Sequence, residues 1–323
     1  MFVEGVEQLQ VARILEPHYE NLAQFEQLGA VYEAVLAHKR EPDERLAQYY
    51  RLAELHEERL LAPDAALAIF IRALLEYPSD TRTLDDVERL ASMVDDGWEH
   101  LANAYADALG AHDNVDTQKL IGKRLARVFE EELGDVQKAE ETYRYVLSVA
   151  PLDLECLENL DRIYTAVEQW AELANVLEQR VKTTEDTYQL VELYTRLGMI
   201  YEESLVQLDD AVRVYRRIFD ELEPENEQAQ LALERLYSQQ EKWQELYGVY
   251  DRQLEKADNE MDQADICAKM ARVLSDYLGE TERAIDTWKR VLDLRGEDGE
   301  ALGALSELYE RTEQWAELTE ILE

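Results

Sequence analysis

Residues 125–151 read LARVFEEELGDVQKAEETYRYVLSVAP. The small-residue pair Leu125-Ala126 is followed by a ring at Phe129. Further on come a second small residue, Ala139, a ring four positions later at Tyr143, an aliphatic residue at Val146 and a stop at Pro151. Offsets of three and four place Ala139, Tyr143 and Val146 on one face of a helix, and proline ends it. The series recurs at Leu52, Ala53, His56, Ala66, Phe70, Ala73 and Pro78, then at Leu197, Gly198, Tyr201, Ala211, Tyr215, Ile218 and Pro224. It recurs a last time at Met270, Ala271, Leu274, Ala284, Trp288, Val291 and Gly296. The four alanines 66, 139, 211 and 284 are 73, 72 and 73 residues apart, and a fixed long period means stacked helical units.

A second marker runs out of phase with the first. Phe25, Trp98, Trp170, Trp243 and Trp315 are separated by 73, 72, 73 and 72 residues. Leu160, Ile163, Tyr164, Trp170, Leu173, Val176 and Leu177 describe one such stretch, and Leu233, Leu236, Tyr237, Trp243, Leu246, Val249 and Tyr250 another. In these the early Trp is expected to fill the space between hairpins. The period is therefore two hairpins of about 36 residues each. The run of Leu, small residue, ring, small, ring, aliphatic and Pro resembles the tetratricopeptide repeat, with one extra residue in the turn relative to the usual 34-residue form. The tryptophan-bearing hairpins look like degenerate versions of it.

The resemblance implies an all-α, right-handed α-solenoid of about nine antiparallel helical hairpins, with no sheet. The expected layout is one continuous array over residues 1–323, with a half unit at 1–38 and units at 39–111, 112–185, 186–258 and 259–323. Short polar linkers at 38–43, 112–116, 182–186 and 256–260 join the units. Residue 323 falls about two turns into a helix that earlier units continue, and no polar capping helix follows. The expectation is a fragment of a longer array or a chain joined to another domain, with uncapped ends open to end-to-end self-association.

Composition excludes several classes. No run of about 18 apolar residues and no basic, apolar leader is visible, which speaks against membrane insertion. The net charge is −39, from 72 acidic and 33 basic residues, and a surface so acidic repels nucleic acid and anionic membrane alike. Cys156 and Cys267 have no ligand-like neighbours and read as buried free thiols, which favours a reducing cytoplasm. The excess of Arg over Lys suggests a GC-rich bacterial genome. There is no phosphate loop, nucleophile elbow, His-Glu-x-x-His or paired CxxC, and the five histidines share no ligand spacing. No catalytic residue, metal or cofactor is assigned.

In tetratricopeptide arrays the first helix of each hairpin lines the concave face, through positions two, five and six residues after the leading Leu. Here positions five and six are Glu57-Glu58, Glu130-Glu131, Glu202-Glu203 and Ser275-Asp276, while Arg127 and Arg272 occupy position two of their repeats. The alternate hairpins contribute Arg89, Arg162 and Arg235, with Glu307 breaking the series. Two readings stand side by side. Either this is an acidic groove for a basic or amphipathic protein or peptide, or the acids are solvated surface bridged by the arginines. Of the Lys, Asn and Arg set with which some members clamp a C-terminal carboxylate, only Lys123 and Arg127 have counterparts, so that mode is not expected. The resemblance implies a non-catalytic protein-protein interaction scaffold. The alternative is the substrate-selecting or regulatory arm of a larger enzyme.

Overall fold

The computed structural model describes residues 2–322, with side chains described from 9 to 321. All regular structure among them is helical, and the chain divides into two compact units, residues 1–168 and 169–323. The first holds α1 (Phe2–Asn21), α2 (Phe25–His38), α3 (Pro42–Glu54), α4 (Pro63–Glu76), α5 (Thr81–Ala91), α6 (Gly97–Ala111), α7 (Val115–Arg127), α8 (Val136–Val149) and α9 (Leu154–Ala166). The second holds α10 (Trp170–Thr183), α11 (Thr187–Met199), α12 (Leu208–Arg217), α13 (Glu227–Gln239), α14 (Trp243–Lys256), α15 (Glu260–Arg272), α16 (Thr281–Arg295), α17 (Gly299–Arg311) and α18 (Trp315–Leu322). Eighteen α-helices among the described residues are what nine hairpins require. Within each unit every helix packs on the next, the stacked-hairpin arrangement of an α-solenoid.

The repeated small residues make this stacking close. Ala66, Ala139, Ala211 and Ala284 are fully buried, as are the aliphatic Ala73, Val146, Ile218 and Val291 that follow. The intervening rings Phe70, Tyr143, Tyr215 and Trp288 are buried with them. A methyl-sized side chain lets two helix backbones approach, and the ring one turn later fills the groove they leave.

The extra residue of the period has a definite place. Helices α3, α7, α11 and α15 each end in a single π-helical turn, at Leu55–Arg59, Val128–Glu132, Ile200–Ser204 and Val273–Leu278. A π turn holds one more residue than an α turn without breaking the helix. Each is followed by a left-handed residue, namely Leu61 (φ 53), Gly134 (φ 66), Val206 (φ 54) or Gly279 (φ 67). The next N–H then reaches back six positions to the carbonyl of the residue in the ring slot. These bonds are Ala62 to His56 at 2.9 Å, Asp135 to Phe129 at 2.7 Å, Gln207 to Tyr201 at 2.7 Å and Glu280 to Leu274 at 2.9 Å. A fifth π turn, Ile218–Leu222, continues α12.

The starts of α5, α9, α13 and α17 are set by Asx caps. The side chains of Asp80, Asp153, Asn226 and Asp298 accept the N–H groups of Thr83, Cys156, Ala229 and Ala301. Each cap satisfies a donor that an N-terminus otherwise leaves orphaned. Asn114, Asp186 and Asn259 cap α7, α11 and α15 in the same way.

The tryptophans differ from expectation. Trp98, Trp170 and Trp243 are only half-buried and Trp315 is 58% exposed. Trp170, Trp243 and Trp315 open their helices directly after a left-handed turn, with Trp98 one residue further in, and a side chain there leans back over the turn, not into the crossing. Trp243 stacks on Tyr277, ring centroids 3.7 Å apart. The bulk between hairpins comes instead from the buried rings of the other series.

Two substitutions test this account. A Cβ at Gly198 would lie 2.6 Å from Tyr215 Cζ, and that ring is 2% exposed and has no room to swing. Gly198→Ala is expected to destabilise the second unit by about 1–3 kcal/mol, although the matching residues 53, 126 and 271 are alanines. Val206→Gly removes a β-branched residue from the left-handed region and is expected to stabilise by up to about 1 kcal/mol. Urea unfolding, with hydrogen exchange read over α11 and α12, checks both.

Candidate functional site

The acid pairs lie on the π turns, and the structure divides each pair between two fates. The first acid of each is held by an arginine from the helix two further along. Arg89 on α5 grips Glu57 through two bonds of 2.5 and 2.9 Å, and Arg235 on α13 grips Glu202 through two of 2.8 Å. Arg162 on α9 reaches Glu130 at 2.5 Å. The side chains of Glu130 and Glu202 retain only 14% and 13% exposure, so these bridges are sheltered on the acid side. In the fourth repeat both partners change together: Ser275 replaces the acid, and Glu307 stands where the arginine would be.

The charges respond to this pairing. The hydrogen bond from Arg89 holds the Glu57 carboxyl below its ordinary value, outweighing partial burial, which pushes the other way. Hydrogen bonds to their glutamates likewise raise the Arg162 and Arg235 guanidiniums. Beneath the Glu202–Arg235 bridge lies the Tyr215 hydroxyl, pushed up to about 12 by burial and then by the negative charge of Glu202.

The second acids are different. Glu58, Glu131 and Glu203 are exposed, and each stands without an ion-pair partner among the described residues. Asp276, also exposed, accepts the Ser275 hydroxyl at 2.6 Å. An exposed carboxylate with no ion pair of its own therefore recurs at each period, in the first three beside an acid that an arginine holds, with Glu131, Glu203 and Asp276 lying in the field of Arg162, Arg235 and Arg272.

Of the remaining candidates, Arg127 and Arg272 lie one helical turn back and Lys123 two. Arg272 is tied to Glu300 at 2.5 and 2.6 Å, and Lys123 to Glu155 at 2.6 Å with Asp153 at 3.7 Å. Arg127 is exposed and has no ion-pair partner among the described residues. Sequence reasoning passed over the Glu54–Arg82 bridge at 2.5 Å, which occupies the same two positions as Arg272 and Glu300 with the signs exchanged. The exchange of sign at a fixed offset was the available signal.

Cys156 and Cys267 are buried, and burial pushes both thiols up. Among the described residues no group of three or more His, Cys, Asp or Glu side chains is placed to hold a metal ion, and no helix is long and apolar enough to cross a membrane.

Comparison with known proteins matches the tetratricopeptide repeat family at residues 156–187 and 229–264. No curated protein matches the chain in sequence. Among solved structures the chain is similar, at 15% identity and a TM-score of 0.31, to YrrB, described as a TPR protein with an unusual peptide-binding site. That alignment covers 63% of this chain and 98% of YrrB. A tetratricopeptide repeat protein from Parabacteroides merdae aligns at 15% identity and a TM-score of 0.32, covering 81% of this chain and 98% of its own. The C-terminal part of a TPR repeat-containing protein from Cytophaga hutchinsonii aligns at 15% identity and 0.33, covering 90% and 98%.

The depressed pKa of Glu57 fixes a pH dependence. Its bridge contributes stability that is present above the ordinary carboxylate value of about 4.3 and is lost as pH falls through the lowered folded value. Wild type is expected to exceed Glu57→Gln by less than about 1 kcal/mol at pH 7, since Arg89 is partly exposed, and to equal it in acid. Parallel urea titrations across that range measure the convergence.

Proposed function

We propose, on the premise of the tetratricopeptide repeats matched at residues 156–187 and 229–264, that the chain is a non-catalytic binding scaffold whose π-turn acids receive a basic or amphipathic segment of another protein. The observation that carries this reading is the division of each acid pair. In three repeats an arginine holds the first acid and joins two helices, and in all four the second acid, Glu58, Glu131, Glu203 or Asp276, is left exposed without an ion pair of its own.

The recurrence matters more than any single charge. Within each unit two carboxylates one period apart, Glu58 with Glu131 and Glu203 with Asp276, attract an extended or helical polycation at two points, while the exposed setting keeps each contact modest. Such a face supplies on-rate and selectivity for cations, with the net charge of −39 adding long-range steering and repelling polyanions. Arg89, Arg162 and Arg235 then serve as struts that hold the acid rows in place.

Selection from an unbiased phage-displayed peptide library tests this. Wild type is expected to enrich Lys and Arg, and the variant Glu58→Gln, Glu131→Gln, Glu203→Gln, Asp276→Asn to lose that enrichment at unchanged helicity. Equal enrichment by both proteins would overturn the reading.

A further inference from the structure

The pair of positions two residues after the leading Leu and two residues after the next helix cap forms a rung between successive first helices. In three of the four repeats that rung carries charge. Glu54 bridges to Arg82 at 2.5 Å and Arg272 to Glu300 at 2.5 Å, while in the repeat of Arg127 and Glu155 both positions are charged and Glu155 is engaged at 2.6 Å by Lys123, two residues before the leading Leu. In the remaining repeat the same positions hold Met199 and Gln228, whose amide nitrogen lies 3.9 Å from the methionine sulfur. The rung is neutral there, and no ion pair closes it.

Beside it stands Leu231, where the other repeats have Asp85, Glu158 and Gly303. Met199 is 42% exposed and Leu231 52% exposed, so two large apolar side chains face solvent where the other repeats are polar or bare. They line a cleft of about 410 Å³, within the range of ligand sites, floored by Tyr215 and Ala232 and rimmed by Glu203, Glu227 and Arg235. The rim charges are unequal. Arg235 is spent on Glu202, while Glu203 and Glu227 are exposed and lack ion-pair partners among the described residues. The cleft thus offers the apolar walls of Met199 and Leu231 beside two exposed carboxylates that no ion pair engages.

Resting on the reading of the acid rows given above, we infer that this cleft is the specificity pocket of the array, and that it takes a Leu, Ile or Met side chain flanked by Lys or Arg on a partner protein's segment. The apolar side chain covers Met199 and Leu231, and the flanking cations meet Glu203 and Glu227. Within the same unit the repeat of Arg272 and Glu300 supplies the exposed Asp276 without an apolar seat, so it holds the rest of the segment without selecting its register. Burying one aliphatic side chain is worth about a tenfold or greater gain in affinity.

Three synthetic peptides read by fluorescence anisotropy test this: Gly-Gly-Lys-Lys-Leu-Lys-Lys-Gly-Gly, the same with Ser for Leu, and the same with Gln for every Lys. Wild type is expected to bind the Leu peptide at least about tenfold more tightly than the Ser peptide. That ratio is expected to fall to near one in Met199→Arg with Gln228→Glu, which rebuilds the charged rung of Arg272 and Glu300. It is expected to fall likewise in Leu231→Asp, which adds an acid while removing the apolar wall. Unchanged helicity and unfolding midpoint establish that both variants fold. Equal binding of the Leu and Ser peptides to wild type, or a ratio unmoved in both variants, would overturn the pocket and leave the acid rows standing. Binding of the Gln peptide as tight as the Lys peptide, or no binding of either, would overturn both.

Discussion

The close approach of a small residue to the backbone of the neighbouring helix, sealed by a buried ring one turn further on, is the constraint on which the other features depend. Ala66 with Phe70, Ala139 with Tyr143, Ala211 with Tyr215 and Ala284 with Trp288 leave no slack in the crossing. An additional residue in the period is therefore excluded from the packed part of the hairpin and is taken up where the helix ends. There it becomes a π turn closed by a left-handed residue, and the carbonyl of the ring-slot residue anchors the closing bond. Gly134 and Gly279 accept that conformation without steric conflict, while Leu61 and Val206 do not, so the turn geometry is imposed by the packing and not chosen by the turn residues.

What the sequence made legible follows from this. Packed positions repeat because each must satisfy the same contact, so the alanines, rings and aliphatics of the first series were readable as core by spacing alone, and they are core. The tryptophans repeat as faithfully yet sit half in solvent, because periodicity reports a recurring environment without saying how deep it is. The π turns were visible only as a surplus residue. The Asx caps at Asp80, Asp153, Asn226 and Asp298 were in plain view but stood apart from the apolar pattern being followed.

The acid rows show the same limit at the level of charge. Spacing identified Glu57-Glu58 and its counterparts as equivalent pairs, but it could not say that the π turn points the first acid at Arg89, Arg162 or Arg235 and the second at solvent. That division needs the register between successive first helices, which is a tertiary quantity. Ser275 and Glu307 confirm the coupling from the opposite direction, since where the acid is missing its arginine is missing as well.

A repeat array gains its shape from sameness and its discrimination from departures. Charged rungs between first helices are interchangeable in sign, as Glu54–Arg82 and Arg272–Glu300 show, and an interchangeable element serves the stack equally well in either sense. Each such exposed bridge is worth little, so replacing one by a Met and a Gln costs the stack correspondingly little. The replacement also leaves an apolar surface bordered by Glu203 and Glu227, which no ion pair engages, and by Arg235, which holds Glu202. With 33 basic residues against 72 acidic ones, this chain commits many of its cations to bridges between helices and has few left to neutralise exposed acids. The charge that a partner would complement is therefore concentrated where the internal bridges stop, and in the repeat of Met199 and Leu231 it coincides with the apolar surface that gives such a contact its selectivity.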